Sequence, residues 1–165
     1  FVGMLFIVAS FLFAYNGHQP SESHASKAAS IAALLVAIFP TACDGCPTTL
    51  VSKLHFTAAA VLFSVLAYFC FIPFRANIKK QGGRKARRSA IYLICGGIMI
   101  LCMAVIFIAH RVFPEAMLTK LRITYYGEAV ALSAFGFAWI TSGKVFRMIA
   151  DDDELYSPFE QRKAV

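Results

Sequence analysis

The chain has 165 residues, of which 59% are apolar and 15% are charged, and its mean hydropathy is +0.66. Soluble domains carry nearer a quarter charged residues, and so short a chain cannot bury this many apolar side chains in one core. We therefore expect part of the apolar surface to face lipid. The net charge of +7 would favour a nucleic-acid partner only if a soluble domain carried it, so no nucleic-acid partner is predicted.

Five apolar runs have about the length that a membrane-spanning helix needs, roughly 20 residues. In chain order they cover residues 1–15, 25–42, 54–74, 90–113 and 124–146. The first run is short and begins at Phe1 rather than Met, which favours a missing helix upstream. The sequence thus predicts an all-α, polytopic membrane helical bundle in residues 1–146, with five transmembrane helices in this chain and six in all. A cytoplasmic tail is predicted in residues 147–165.

Small residues within the runs predict where the helices approach each other most closely, because lipid offers no hydrophobic drive for helix association. The candidates are Gly96, Gly97, Gly127, Ala131, Ala134 and Ala138. A structural packing role is expected for all of them.

Basic residues are concentrated in the third connection between runs, and such connections tend to stay in the cytoplasm. The cluster consists of Arg75, Lys79, Lys80, Arg84, Lys85, Arg87 and Arg88. With this connection inside, 12 of the 16 Lys and Arg lie inside and four lie outside. The same cluster is expected to hold anionic lipid headgroups, with about 1 kcal/mol from each basic residue near the surface.

Four short segments together form a recognisable pattern. They are Phe1-Val2-Gly3 running to Tyr15-Asn16-Gly17, Phe39-Pro40-Thr41, His55-Phe56 before Ala58-Ala59, and Glu128 leading to Phe135-Gly136 and Trp139. These segments resemble a family of small multi-pass bacterial inner-membrane proteins of unknown function. The resemblance implies a bacterial plasma-membrane location and a helix before the first segment. It implies no established activity.

Ionisable residues inside apolar runs cost about 2.5 to 3.5 kcal/mol on insertion scales and are therefore functional candidates. Glu128 lies about one helical turn inside the fifth run. The predicted topology brings Asp44, His55, His110 and Arg111 to the same membrane depth, near the outer face. The sequence therefore predicts that Glu128 and His55 face a shared polar interior, with Arg111 or His110 as the next partner.

Two interpretations of this polar cluster stay open. In the first, Glu128 pairs with Arg111 or with a tyrosine, and the histidines meet water at the interface. In the second, His55 and Glu128, with Asp44 or His110, bind a divalent metal such as zinc. Imidazole and carboxylate suit zinc, and three such ligands leave a fourth position for water. No HExxH sequence is present to support the metal site.

Cys43 and Cys46 form a CxxC sequence on the predicted outer side, where disulfides persist. They are expected to form a structural disulfide, and a redox role that exchanges disulfides is the alternative. A membrane thiol oxidase usually needs a second outer cysteine pair. The remaining cysteines, Cys70, Cys95 and Cys102, lie within runs or near the inner face, so that relay is not predicted.

Three functional classes follow from these patterns. The first is a membrane protein without a derivable catalytic activity, acting as an accessory subunit or as a binder of a small ligand. The second is a metal-dependent, membrane-embedded hydrolase or lipid-modifying enzyme, and the third is a periplasm-facing thiol-disulfide protein. No nucleophile elbow, phosphate loop or dinucleotide fingerprint favours another enzyme class. Membrane lipid and other membrane subunits are the expected partners.

Overall fold

A computed structural model describes residues 2–17, 19–41, 49–76 and 84–143. Within these ranges the regular structure is entirely helical, with no strand. The helices are α1 (Val2–Ala14), α2 (Pro20–Ile38), α3 (Leu50–Phe71), α4 (Pro73–Ala76), α5 (Arg84–Val112), α6 (Glu115–Leu121) and α7 (Ile123–Ser142). The predicted all-α fold is confirmed.

Helices α2 and α3 begin before their predicted apolar runs because local signals set their ends. Pro20 occupies the first turn of α2, where its missing N–H costs nothing. The Thr49 hydroxyl caps α3 by accepting a hydrogen bond from the backbone N–H of Ser52, at 3.3 Å. The short helix α6 was not predicted. The residue that follows its last turn, Arg122, has a left-handed backbone with φ 49°.

In the part of the chain that the structure describes, two helical stretches are long and apolar enough to cross a membrane, namely Leu50–Ala76 and Ala86–Val112. Helix α1 is apolar but has only 13 residues. Helix α2 carries Glu22 and Lys27, and α7 carries Glu128. Neither of these two helices is both long and apolar enough to count as a membrane span. Five membrane crossings therefore stay a prediction, whereas two apolar helices of sufficient length are observed.

Both ends of the basic cluster lie in helices, because Arg75 belongs to α4 and Arg84 already begins α5. Arg and Lys are good helix formers, so the helix extends beyond its apolar run. Arg87 is exposed, but Arg88 is only 4% exposed, which differs from the expected contact with lipid headgroups. The Nε of Arg75 donates a hydrogen bond to the Ser89 hydroxyl at 3.2 Å.

The other basic residues of that cluster are outside the described part of the structure, wholly or in their side chains. Lys79 and Lys80 lie outside the described residues, as do the side chains of Arg84 and Lys85. The predicted tail of residues 147–165 also lies outside them.

Hydrogen bonds and small side chains hold neighbouring helices together. The hydroxyls of Ser26 and Ser30 on α2 donate to the backbone carbonyls of Leu12 and Ala9 on α1, the latter bond at 2.8 Å. These bonds cross between two antiparallel helices and satisfy hydroxyls that would otherwise be buried without a partner. Helix α5 packs most extensively against α7 and also contacts α3.

Two ends of the bundle can be distinguished. At the His55 end, the end of α2 meets the start of α3, and the end of α5 meets the start of α7. At the Trp139 end, the rings of Tyr15, Phe69 and Phe74 each lie within about 6 Å of the Trp139 ring. The sequence-predicted polar cluster belongs to the His55 end.

Candidate functional site

A groove of about 350 Å³ opens between α3, α5 and α7 at the His55 end. Three helices form it because α3 and α7 both start at this end, while α5 finishes there. Its polar lining comes from His110, Thr124 and Glu128. Its apolar lining consists of Phe56, Ala59, Ala60, Met103, Ile106 and Phe107.

Glu128 is the only acidic side chain among the described residues that line this groove. Thr124 precedes it by one helical turn, so the two side chains lie on the same face of α7. His110, in the last turn of α5, shares a hydrogen bond between its Nε2 and the Thr124 hydroxyl, at 3.0 Å. Glu128 itself is half-buried. The structure therefore brings His110 and Glu128, two of the predicted site residues, to one groove.

His55 is buried beside this groove, at the start of α3. Its Nδ1 donates a hydrogen bond to the carbonyl oxygen of Phe39 at 2.7 Å, and a carbonyl can only accept. Nδ1 therefore carries a proton, and Nε2 is an acceptor in the neutral ring and a donor in the imidazolium. His55 interacts electrostatically with the Glu128 carboxyl. Helices α3 and α7 thus bring the two residues of the central sequence prediction close enough to influence each other.

Arg111 does not take the predicted place beside Glu128. Its guanidinium lies over the Phe107 ring, 4.8 Å from the ring centre, and the side chain is exposed. Among the residues that the structure describes, Glu128 forms no ion pair with it. The physical reason is helical geometry, because Arg111 is rotated by about 100° from His110 and reaches the aromatic ring one turn back along α5.

The metal hypothesis gains no support from the described part of the chain. No group of three His, Cys, Asp or Glu side chains that could hold an ion occurs there. His55, Glu128 and His110 therefore do not form the predicted three-ligand site. Asp44, the fourth candidate ligand, lies outside the described residues.

The thiol hypothesis concerns Cys43 and Cys46, which also lie outside the described residues. The other three cysteines are free thiols. Cys70 and Cys95 are buried, and Cys102 is half-buried. Cys70 belongs to α3, and Cys95 and Cys102 belong to α5.

Several residues of the groove were not singled out from the sequence. Thr124 could have been found from its spacing of one turn to Glu128, but Phe56 and Phe107 resemble the many other phenylalanines of the chain. At the Trp139 end, Glu22 was not singled out either, and it is only 6% exposed. Its carboxylate accepts a hydrogen bond from the Tyr15 hydroxyl at 3.2 Å.

The groove unites one carboxylate and one imidazole with an apolar lining, and a second imidazole lies close behind the carboxylate. Such a site can bind a small molecule that is apolar over most of its surface and polar at one end. Comparison of the chain with protein-family models, with curated proteins and with solved structures finds no match.

Proposed function

We propose that this chain is a multi-pass membrane protein that binds a small amphipathic ligand in the groove between α3, α5 and α7. The observation that carries the proposal is the placement of Glu128 and His110 in an otherwise apolar groove of about 350 Å³. Ligand sites commonly have volumes of roughly 300 to 1,000 Å³, with few polar groups in an apolar lining. The resemblance to small bacterial inner-membrane proteins agrees with this proposal and adds no activity to it.

Membrane insertion is supported by apolar side chains that the fold leaves uncovered. On α5, Leu101, Phe107 and Ile108 are 63%, 62% and 56% exposed. Only 22% of the most apolar 18-residue stretch of this helix is buried. Exposure of so much apolar surface to water would cost about 25 cal/mol for each Å², and lipid contact removes that cost. Exposed apolar patches of this extent mark interaction or membrane surfaces.

We propose an orientation in which the His55 end faces outward and the start of α5 faces the cytoplasm. The basic residues from Arg75 to Arg88 support it, because positively charged segments are retained inside. A Gly82→Cys reporter, in a full chain whose native cysteines are replaced by alanine, provides the test. A membrane-impermeant thiol reagent should leave Cys at this position unmodified in intact cells and modify it after lysis. Efficient modification in intact cells would contradict the orientation.

The ligand proposal can be tested with the full chain in phosphatidylcholine nanodiscs. Decanol that carries a photoreactive diazirine in its chain is the probe, and mass spectrometry locates the labelled residues. We expect labelling to concentrate on the groove, at Met103 and Phe107, and to fall in an Ala60→Leu variant whose larger side chain fills the groove. Ser133→Ala, on another face of α7, is the control that should not change the labelling. Uniform labelling of all lipid-exposed residues, without a concentration in the groove, would contradict the proposal.

An accessory subunit is the second candidate function, and a second groove favours it. This groove of about 590 Å³ lies between α5 and α7 and includes the small residues Ala129, Ser133 and Ala134. Small residues permit close approach of another transmembrane helix. Sedimentation of the protein extracted from its native membrane in mild detergent tests the idea. A particle much heavier than one chain in a micelle would support it, and a monomer would oppose it.

A metal-dependent hydrolase is the remaining enzymatic alternative. It would need three ligands in one group, which His55, Glu128 and His110 do not form in the described part of the chain. Elemental analysis of the purified full chain tests it directly. A stoichiometric metal that disappears in Glu128→Gln would favour this alternative over the binding of an organic ligand.

A further inference from the structure

We infer that the occupant of the groove is a lipophilic ammonium ion, an apolar chain that ends in a protonated amine, with its charge against Glu128. This inference deepens the proposed ligand-binding function and rests on it. Three features of the groove carry the inference: its charge, the hydrogen-bonding state of its polar atoms, and the nature of its walls.

The charge of the groove is complementary to a cation. Among the described residues that line it, Glu128 is the only acidic one, and none is Lys or Arg. An anionic headgroup would therefore meet a carboxylate without a cationic partner. A phospholipid headgroup is disfavoured for the same reason, because its phosphate would need a basic side chain in the groove.

The Glu128 carboxylate requires a donor rather than an acceptor. The Nε2 of His110 and the Thr124 hydroxyl share a hydrogen bond, and His55 commits Nδ1 to Phe39. Glu128 accepts no hydrogen bond from the residues that the structure describes. Two carboxylate oxygens thus lie beside an apolar cavity, and the N–H groups of an ammonium ion complement them in both charge and hydrogen bonding.

The walls of the groove suit both parts of such a ligand. Phe56 and Phe107 are 46% and 62% exposed, and their ring faces attract cations. The Arg111 guanidinium already occupies one face of Phe107, at 4.8 Å, so the Phe56 ring and the other face of Phe107 are left to contact the ammonium. Ala59 and Ala60 leave room for an apolar chain between α3 and α5.

The experiment compares three headgroups on the same chain in nanodiscs that contain the full protein. Decylammonium, decanol and decyl sulfate each compete with the photoreactive decanol for labelling of the groove, and protein-free nanodiscs correct for partition into lipid. We expect decylammonium to compete at about a tenfold or greater lower concentration than decanol, since one charge-assisted hydrogen bond is worth a factor of that size. Decyl sulfate should compete no better than decanol.

Glu128→Gln removes the charge and keeps a side chain of similar shape. It should abolish the tenfold preference for decylammonium while the groove is still labelled by decanol, which also shows that the variant folds. Glu128→Asp should restore part of the preference, and Ser10→Ala, at an exposed position of α1, should leave it unchanged.

The outcomes separate this inference from the proposed function. If decanol labels the groove but decylammonium competes no better than decanol, the ammonium inference is overturned and the ligand groove stands. A preference for decyl sulfate, or a decylammonium preference that survives Glu128→Gln, overturns the inference as well. If no probe labels the groove, the proposed function itself is overturned.

Discussion

His55 donates a hydrogen bond from Nδ1 to the carbonyl oxygen of Phe39, at 2.7 Å, and thereby joins the start of α3 to the end of α2. Phe39 precedes Pro40, which disfavours helical backbone and gives Phe39 an extended conformation, with φ −91° and ψ 122°. The carbonyl of Phe39 therefore lies beyond the ladder of α2 and needs another donor. His55 supplies that donor and also interacts with Glu128. It therefore links the contact between α2 and α3 to the acidic residue that lines the groove.

Loss of this bond should destabilise the fold. In His55→Leu the Phe39 carbonyl has no donor, and we expect the free energy of unfolding to fall by about 1 to 3 kcal/mol. His55→Asn is the matched control, because its side-chain amide places an N–H donor near the position of Nδ1. Unfolding of both variants by sodium dodecyl sulfate in mixed micelles measures the difference. Equal stability of the Leu and Asn variants would show that the bond does not matter.

The two serine hydroxyls of α2 should contribute to the attachment of α1. We expect the double variant Ser26→Ala, Ser30→Ala to lose about 1 kcal/mol, since hydrogen bonds between membrane helices average about 0.6 kcal/mol each. Ser10→Ala is the control, because the Ser10 hydroxyl is exposed and bonds within its own helix, to the Phe6 carbonyl. The same unfolding assay should show almost no change for that control. A larger loss in Ser10→Ala than in the double variant would contradict this account.

Gly96 and Gly97 are adjacent in sequence and should respond differently to alanine. A Cβ on Gly96 would lie 2.8 Å from the Phe71 ring and 3.1 Å from the Cβ of Cys70, whereas one on Gly97 meets nothing within 4 Å. We expect Gly96→Ala to cost about 1 to 3 kcal/mol through overpacking between α3 and α5. Gly97→Ala should be neutral or stabilising by up to about 1 kcal/mol, because alanine favours the helix. Thermal unfolding of the two variants side by side checks the order, and the reverse order would refute the packing.

Arg122 forms the corner between α6 and α7 in a left-handed conformation that costs a non-glycine residue about 1 to 2 kcal/mol. We expect Arg122→Gly to be at least as stable as the native chain. Arg122→Val should be less stable by about 1 to 2 kcal/mol, because a β-branched side chain tolerates this backbone poorly. Arg122→Asn removes the same charge but accepts the conformation, so it controls for electrostatics. A valine variant as stable as the asparagine variant would argue against the corner.

Hydropathy along the chain was sufficient to predict the helical fold and the approximate position of each long helix. An apolar run of helical length can be recognised from the local sequence alone, as the run at 90–113 can within α5. The helix ends were less predictable, because Pro20 and Thr49 act through capping and the basic residues from Arg84 onward continue α5. The predicted common depth of His55, His110 and Glu128 required only the order of the runs and the alternation of their directions.

Tertiary structure alone decided which of these residues share a groove. Depth does not reveal which helices are neighbours, and only packing places α3, α5 and α7 around Glu128 while Arg111 lies on Phe107. The same holds for Gly96 and Gly97, which differ by one position and by about 100° around the helix. Residue type and local periodicity depend on short stretches of chain, whereas contacts between helices depend on the shapes of surfaces far apart in sequence.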